Sequence, residues 1–401
     1  MNIVEISGVV KEYAWGNTSF IADFLGIKQD GKRRAELWYG THPDGESRVV
    51  GQEEPLGPFL ARDKRGWFGD DHLTLYGPVL PLLLKVLSID KPLSLQVHPT
   101  KEQAEAGWDA ERLIRERLAK ELWNYKDSNG KPEMAYALTD TTVMCGFRPL
   151  EQIKGFLKSL VPDAYQRHFL FLDEDGTAEE QIHHLFKMIY TMDEDDRGVL
   201  LSEFVESVRS STALERSDGG AFLFPADIVL SLVGEYPTDP GLLAPFLLNV
   251  LHLKRGDSLY LEPRTLHAYV KGNLIELMSA SDNVLRAGLT PKKVDIHELL
   301  KVMETKEQQI ERAPTLIGSS GRLHILTPTE DFHLMVLESG RYEITDRRSI
   351  ELLLVAEGEA RFFTAGQQVS LQKGRCYAVA SSAASYTIEV DGLVFAADVP
   401  R

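Results

Sequence analysis

KPLSLQVHPTKEQAEAG, residues 91–107, changes character at its centre. The first half, SLQVHP, is a short alternating apolar run closed by proline, the pattern of a buried strand. The second half carries Thr100 and, three residues on, Gln103, the two ends of a capping box that opens a helix. Residues two apart in a strand share a face, so Gln96 and His98 project together just before the chain turns into that helix. Two metal-competent side chains on one strand face are the first sign of a metal site built on β-structure.

Outward from this segment, residues 1–149 read mostly as short strands broken by Gly and Pro, among them MAYALTD and TTVMCGFRP. Residues 150–245 change period: EQIKGFLKSL, AEEQIHHLFKMIYTM and RGVLLSEFVESVRS repeat apolar residues at three and four spacing, which predicts a helical block. Its acidic runs DEDGTAEE and TMDEDD read as solvated turns, since no EF-hand loop pattern is present. Strand text returns over 246–312, where Asp295 and Glu298 predict a second capping box. Alternating strands with Gly turns then fill 313–401. The expected fold is mainly β with an α insertion: a strand-rich unit split between 1–149 and 246–312, a helical domain at 150–245, and a second β-barrel or sandwich at 313–401.

Two further segments complete the metal donors. Glu133 stands in the apolar run MAYAL, where an unpaired carboxylate is costly to bury and calls for a cation. His267 follows the turn in YLEPRTLHAYVKGN. Gln96, His98, Glu133 and His267 form a mixed oxygen and nitrogen set suited to zinc. His183 and His184 are neighbours on a helix and diverge around its axis, so they share no metal. Among basic residues, Lys131, Arg286, Lys292, Lys293 and, more weakly, Arg264 are candidates. SASDNVLRAGLTPKK interleaves Asp282, Asn283 and Arg286 with apolar residues just after Glu276, a density of charge that needs mutual partners and is typical of active sites. Thr290 and Pro291 set Lys292 and Lys293 in a turn suited to a phosphate dianion.

Composition narrows the function classes. A formal charge of −16 over 401 residues repels polyanions and argues against nucleic acid. No apolar run approaches the ~20 residues of a membrane span. Only Cys145 and Cys376 are present, which excludes a disulfide framework and predicts buried, reduced thiols. The start MNIVEISGVVKEYAWG is unlike a secretory signal, so the cytoplasm is the expected compartment. A monomer acting on a small molecule is the expected working form.

The Gly256–Asn273 segment resembles the metal-bearing hairpin of cupin jelly rolls, while the analogous stretch Gly374–Val390 has no His, Asp or Asn, which predicts a metal-free second barrel. The chain as a whole resembles the type I phosphomannose isomerases. The resemblance rests on EYAWG, AELWYGTHPDG, LSLQVHP, KPEMAYAL and SASDNVLRAGLTPKK, in that order from Tyr13 to Lys293. It implies two cupin-type jelly rolls and one zinc ion on Gln96, His98, Glu133 and His267. It also implies a catalytic Arg286, a substrate phosphate on Ser94 and Lys292, and a sugar lined by Lys131, Glu276, Tyr269 and Asp282. The implied reaction interconverts mannose 6-phosphate and fructose 6-phosphate by ring opening, proton removal at C2 and return at C1. Glu276 is the preferred base, with Lys131 the other candidate, and Asp282 assists ring opening or orients its neighbours. Two alternatives remain open at this level: an iron-dependent cupin oxygenase, against which Gln96 argues, and a non-catalytic cupin that binds sugar phosphate.

Overall fold

The computed structural model describes residues 2–119, 122–345, 347, 349–364 and 366–399. Two ten-stranded antiparallel sheets, each curling on itself, form the body of the protein. The first is organised by the 13-residue strand His267–Ser279. Its beginning pairs with Leu95–Val97 and Thr141–Phe147, and its end with Leu82–Ile89 and Glu133–Ala137, so one strand serves both halves of a barrel. At the change of partners the ladder is irregular between Tyr269 and Lys271, and Gly272 follows at φ 129°. A Cβ there would lie 2.3 Å from the Thr141 hydroxyl oxygen, so only glycine permits the crossing.

Strand alternation sorts the side chains. Leu95, Val97, Leu285 and Ala287 point outward into a large core shared with Ile153, Leu157, Leu185, Ile189 and Phe204 of the helical block. Gln96, His98 and Arg286 are thereby turned the other way. On the opposite wall, Leu84, Val86, Ile275 and Leu277 join a core that continues into Leu334, Leu352, Leu354 and Phe395 of the C-terminal strands. Lys85 and Glu276, one residue out of step with them, face inward. The two barrels therefore share one apolar seam, with the Tyr136 and Phe395 rings 4.9 Å apart across it.

The helical block comprises Leu150–Leu160, Ala178–Thr191, Glu194–Ser210 and Pro225–Leu232, with shorter turns between. Three expectations need correction. Ile3–Ser7 pairs with Cys376–Val379 and Arg48–Val49, so the first strand extends the C-terminal sheet rather than the catalytic barrel's. The acids of TMDEDD are not a free turn: Asp193 caps the helix and Glu194, Asp195 and Asp196 occupy its first turn, where the helix dipole favours negative charge. At Asp295 only half of the capping box forms, because Glu298 instead accepts the Tyr125 hydroxyl at 2.8 Å. The box at Thr100 and Gln103 is complete. Cys145 and Cys376 are both buried free thiols, and burial raises Cys145 to about 12. No described helix is long and apolar enough to cross a membrane.

Candidate metal centre and adjoining cavity

A cavity of about 960 Å³ opens into the first barrel. Its walls include Ser94, Gln96, Lys131, Glu133, Glu276, Asp282, Arg286 and Lys292, eight of the expected site residues, drawn from segments far apart in the chain. His98 and His267 lie behind Glu133 at its floor, both almost wholly buried.

Sheet register explains the convergence. Gln96 is paired with His267 on one side and Arg286 on the other, and residues directly opposite in a ladder project to the same face. The His98 Nδ1 lies 2.7 Å from the Asn283 carbonyl and the His267 Nδ1 lies 2.9 Å from the Thr265 carbonyl. A carbonyl only accepts, so each ring carries its proton on Nδ1 and presents a bare Nε2. Both Nε2 atoms sit 3.3 Å from a Glu133 carboxylate oxygen. Two imidazole lone pairs facing a carboxylate repel one another, and His98 Nε2, His267 Nε2 and Glu133 Oε2 make no hydrogen bond. Leaving such atoms buried costs about 1–3 kcal/mol each, and a cation between them removes the cost. The three residues offer donor atoms all within 4.8 Å of one another, and the donor types suit zinc. Burial brings His98 down to about 4, against the pull of Glu133, so the ring is neutral and ready to ligate near neutrality. Burial works to raise Glu133, but His98 and Lys131, whose ammonium is 2.8 Å away, hold the carboxyl well below the usual range.

Above the floor the cavity is polarised. Lys85 Nζ is 2.8 Å from Glu276 Oε2, the two being paired directly across the ladder and nearly fully buried. Burial works against the Lys85 ammonium, yet Glu276, Glu36 and Glu133 outweigh it and keep it charged. Burial raises Glu276 above the ordinary carboxylate range in spite of Lys85 and Lys131. Lys11 and Lys85 lie 4.4 Å and 5.0 Å from the Trp38 ring centroid. At the other end Lys292 is lowered by burial and then by Arg286 and Lys126. Arg286, also lowered by burial, forms no ion pair with a carboxylate among the described residues. Lys292, Arg286 and Lys126 gathered at one end suit a multiply charged anion.

His42 was not singled out, although it stands in the quoted AELWYGTHPDG. The Asp44 amide donates to its Nδ1 at 3.2 Å, so its proton sits on Nε2, 3.5 Å from Asp282 Oδ2. Lys85 was missed as well, yet it is the sole charge in the strand LLLKVLSI, the same signal that drew attention to Glu133. Lys126 gave no signal; Asn283 places it by accepting its amide at 2.7 Å and gripping Asp127 and Asn129. Tyr269, expected to line the sugar, stands directly behind the cavity wall. It is fully buried among Leu87, Leu93, Val143, Cys145 and Leu261, of which Leu87 and Leu93 line the cavity, and burial, then Glu276, push its hydroxyl well up. Lys293 reaches Asp295 at 3.2 Å, and Arg264 reaches Glu304 at 3.4 Å, both away from the cavity walls.

A jelly-roll barrel with a His–Glu–His floor under a polar cavity is the architecture of a metal-binding cupin. The chain's first part, residues 3–150, matches the profile of the phosphomannose isomerase type I catalytic domain. Along 390 residues it is 32% identical to mannose-6-phosphate isomerase of Escherichia coli (strain K12), covering 96% of each chain. It is likewise 32% identical to the Homo sapiens mannose-6-phosphate isomerase, covering 93% of this chain and 92% of that one. Among solved structures it resembles a zinc-bound mannose 6-phosphate isomerase, with TM-score 0.88, 28% identity and full coverage of both chains. The chain belongs to the mannose-6-phosphate isomerase family.

Proposed function

We propose that this chain interconverts mannose 6-phosphate and fructose 6-phosphate, with one zinc ion held by Gln96, His98, Glu133 and His267. The observation that carries the reading is the trio of bare donors on His98, Glu133 and His267, opening into a cavity with a cationic end and a buried carboxylate. Gln96, in register with His267, supports a four-ligand zinc set over the three-ligand iron alternative. When bound, zinc supplies a Lewis acid that polarises the sugar's oxygens.

The protein's own groups account for the remaining chemistry. Lys292 and Ser94, with Lys126 beside them, hold the phosphate, while Lys131 and Trp38 border the sugar. Asp282, oriented by His42, takes part in opening the ring. Glu276, held in place by Lys85, removes the proton from C2 and delivers a proton to C1 while the hydroxyl proton passes from O2 to O1, so the carboxylate ends as it began. Arg286 compensates the negative charge that develops on oxygen in the enediolate. All these groups come from one chain, so a monomer suffices, and the cytoplasm, where sugar phosphates are metabolised, is the compartment we assign. Production of fructose 6-phosphate from mannose 6-phosphate in a coupled assay tests the function; a purified, zinc-loaded protein giving no product would defeat it.

Two variants probe the assignments. Lys292→Ala should raise KM for mannose 6-phosphate about 10-fold or more, with a much smaller effect on kcat and on unphosphorylated mannose. Equal losses on both sugars would show that Lys292 does not read the phosphate. A base must be deprotonated to act, so a Glu276 carboxyl raised by burial predicts that kcat falls as pH drops through that raised value. The acid limb should lie above the ordinary carboxylate range of about 4. A kcat profile flat down to that range would reassign the base.

A further inference from the structure

A second cavity, about 370 Å³, lies in the helical block away from the sugar-phosphate site. Its walls are aromatic and aliphatic: Phe156, Phe224, Phe246 and Val250, with the His252 ring edge-on to Phe224 at 4.9 Å. Phe156 and Phe246 meet edge to face at 5.1 Å, which fixes a rigid, flat-sided slot. Onto this half-open, aromatic-walled cleft comes one strong cation, Arg148, which sits between the strand Thr141–Phe147 and the helix Leu150–Leu160. Its guanidinium donates to the Pro245 carbonyl at 3.3 Å and lies 5.5 Å from the Phe156 centroid. The Nε–H is buried and makes no hydrogen bond, and among the described residues no carboxylate comes within ion-pair distance of the group. Burial disfavours its charge, and nothing close by offsets that. A half-buried arginine left without a counter-ion beside an apolar slot is an arrangement that an anion completes. Glu215, on the exposed mouth with Ala213, is the one acid on the lining and turns away multiply charged anions more than singly charged ones.

We propose that this cavity is a binding site for a small organic monocarboxylate with a flat apolar body, its carboxylate on Arg148 and its body between Phe156, Phe224 and Phe246. The size suits a ligand of about ten heavy atoms, for which an affinity on the order of 1 mM is expected. This site is independent of the isomerase reading, and its test needs no turnover.

The experiment is calorimetric titration of the full-length protein with 3-phenylpropionate and, separately, with its uncharged amide. The acid should bind at least 10-fold more tightly than the amide. Arg148→Met should abolish binding, and Ala213→Trp, an exposed position at the mouth, should block entry without touching the core; Lys292→Ala should leave binding intact. Thermal melts establish that each variant is folded, and if Arg148→Met is not, Ala213→Trp alone decides. Absence of binding, equal affinity for acid and amide, unchanged affinity in either folded variant, or loss in Lys292→Ala would overturn the proposal.

Discussion

Removal of divalent metal with a chelator is expected to abolish isomerase activity, and stoichiometric zinc to restore it. His98, Glu133 and His267 are nearly inaccessible, and their facing donor atoms make no hydrogen bonds. A cation therefore contributes twice at this floor. It offsets three buried donors, worth about 1–3 kcal/mol each, and it would supply a charge that polarises the sugar's oxygens. The stripped protein should accordingly melt several degrees lower as well as lose turnover, because anything that binds the folded state alone stabilises it by mass action. Differential scanning calorimetry beside the coupled assay reads both effects. Full activity after exhaustive chelation, checked by elemental analysis, would exclude a metal role; loss of activity with an unchanged melt would place the ion outside the buried trio.

Replacing Arg286 should produce the next largest loss. Its strand pairs with Leu95–Val97, setting it opposite Gln96, with His267 on the far side of Gln96 in the same row, so the guanidinium enters the cavity close to the metal donors. Burial, with Asp282 acting on it only from beyond ion-pair distance, leaves the guanidinium available to substrate. Preorganised cations of this kind contribute about 3 kcal/mol to stabilising a developing oxyanion, so Arg286→Ala should lower kcat by on the order of 10²-fold or more, with a modest change in KM. Arg286→Lys should recover only part, because an ammonium on a flexible stem does not reproduce the planar fork. A kcat within a few-fold of the parent in Arg286→Ala would remove Arg286 from the chemical step. A large rise in KM at unchanged kcat would make it a phosphate binder instead.

Much of this site was legible because burial makes a charged residue conspicuous. Glu133 in MAYAL and His98 in SLQVHP stand out against apolar neighbours, and strand alternation alone places Gln96 and His98 on one face. Lys85 carried the same mark and was passed over; it is explained only once its partner Glu276 is seen across the ladder. His42 and Lys126 were less legible, since one depends on the tautomer set by the Asp44 amide and the other on a loop pinned by Asn283. Tyr269 came from the family resemblance alone, since nothing in its local pattern marks it. It shares a strand face with His267 and is fully buried against Leu87 and Leu93, which line the cavity.

Local pattern determined which side chains share a face, where helices start and which chemical groups are present, because these follow from two-residue and 3.6-residue periods and from capping within a few positions. Only the tertiary structure decided which faces meet. Pairing of Gln96 with both His267 and Arg286, of Lys85 with Glu276, and of Ile3–Ser7 with Cys376–Val379 joins residues remote in the chain. Such pairings are selected by the mutual fit of apolar surfaces in a closed barrel, a property of the whole packed core that no short stretch contains.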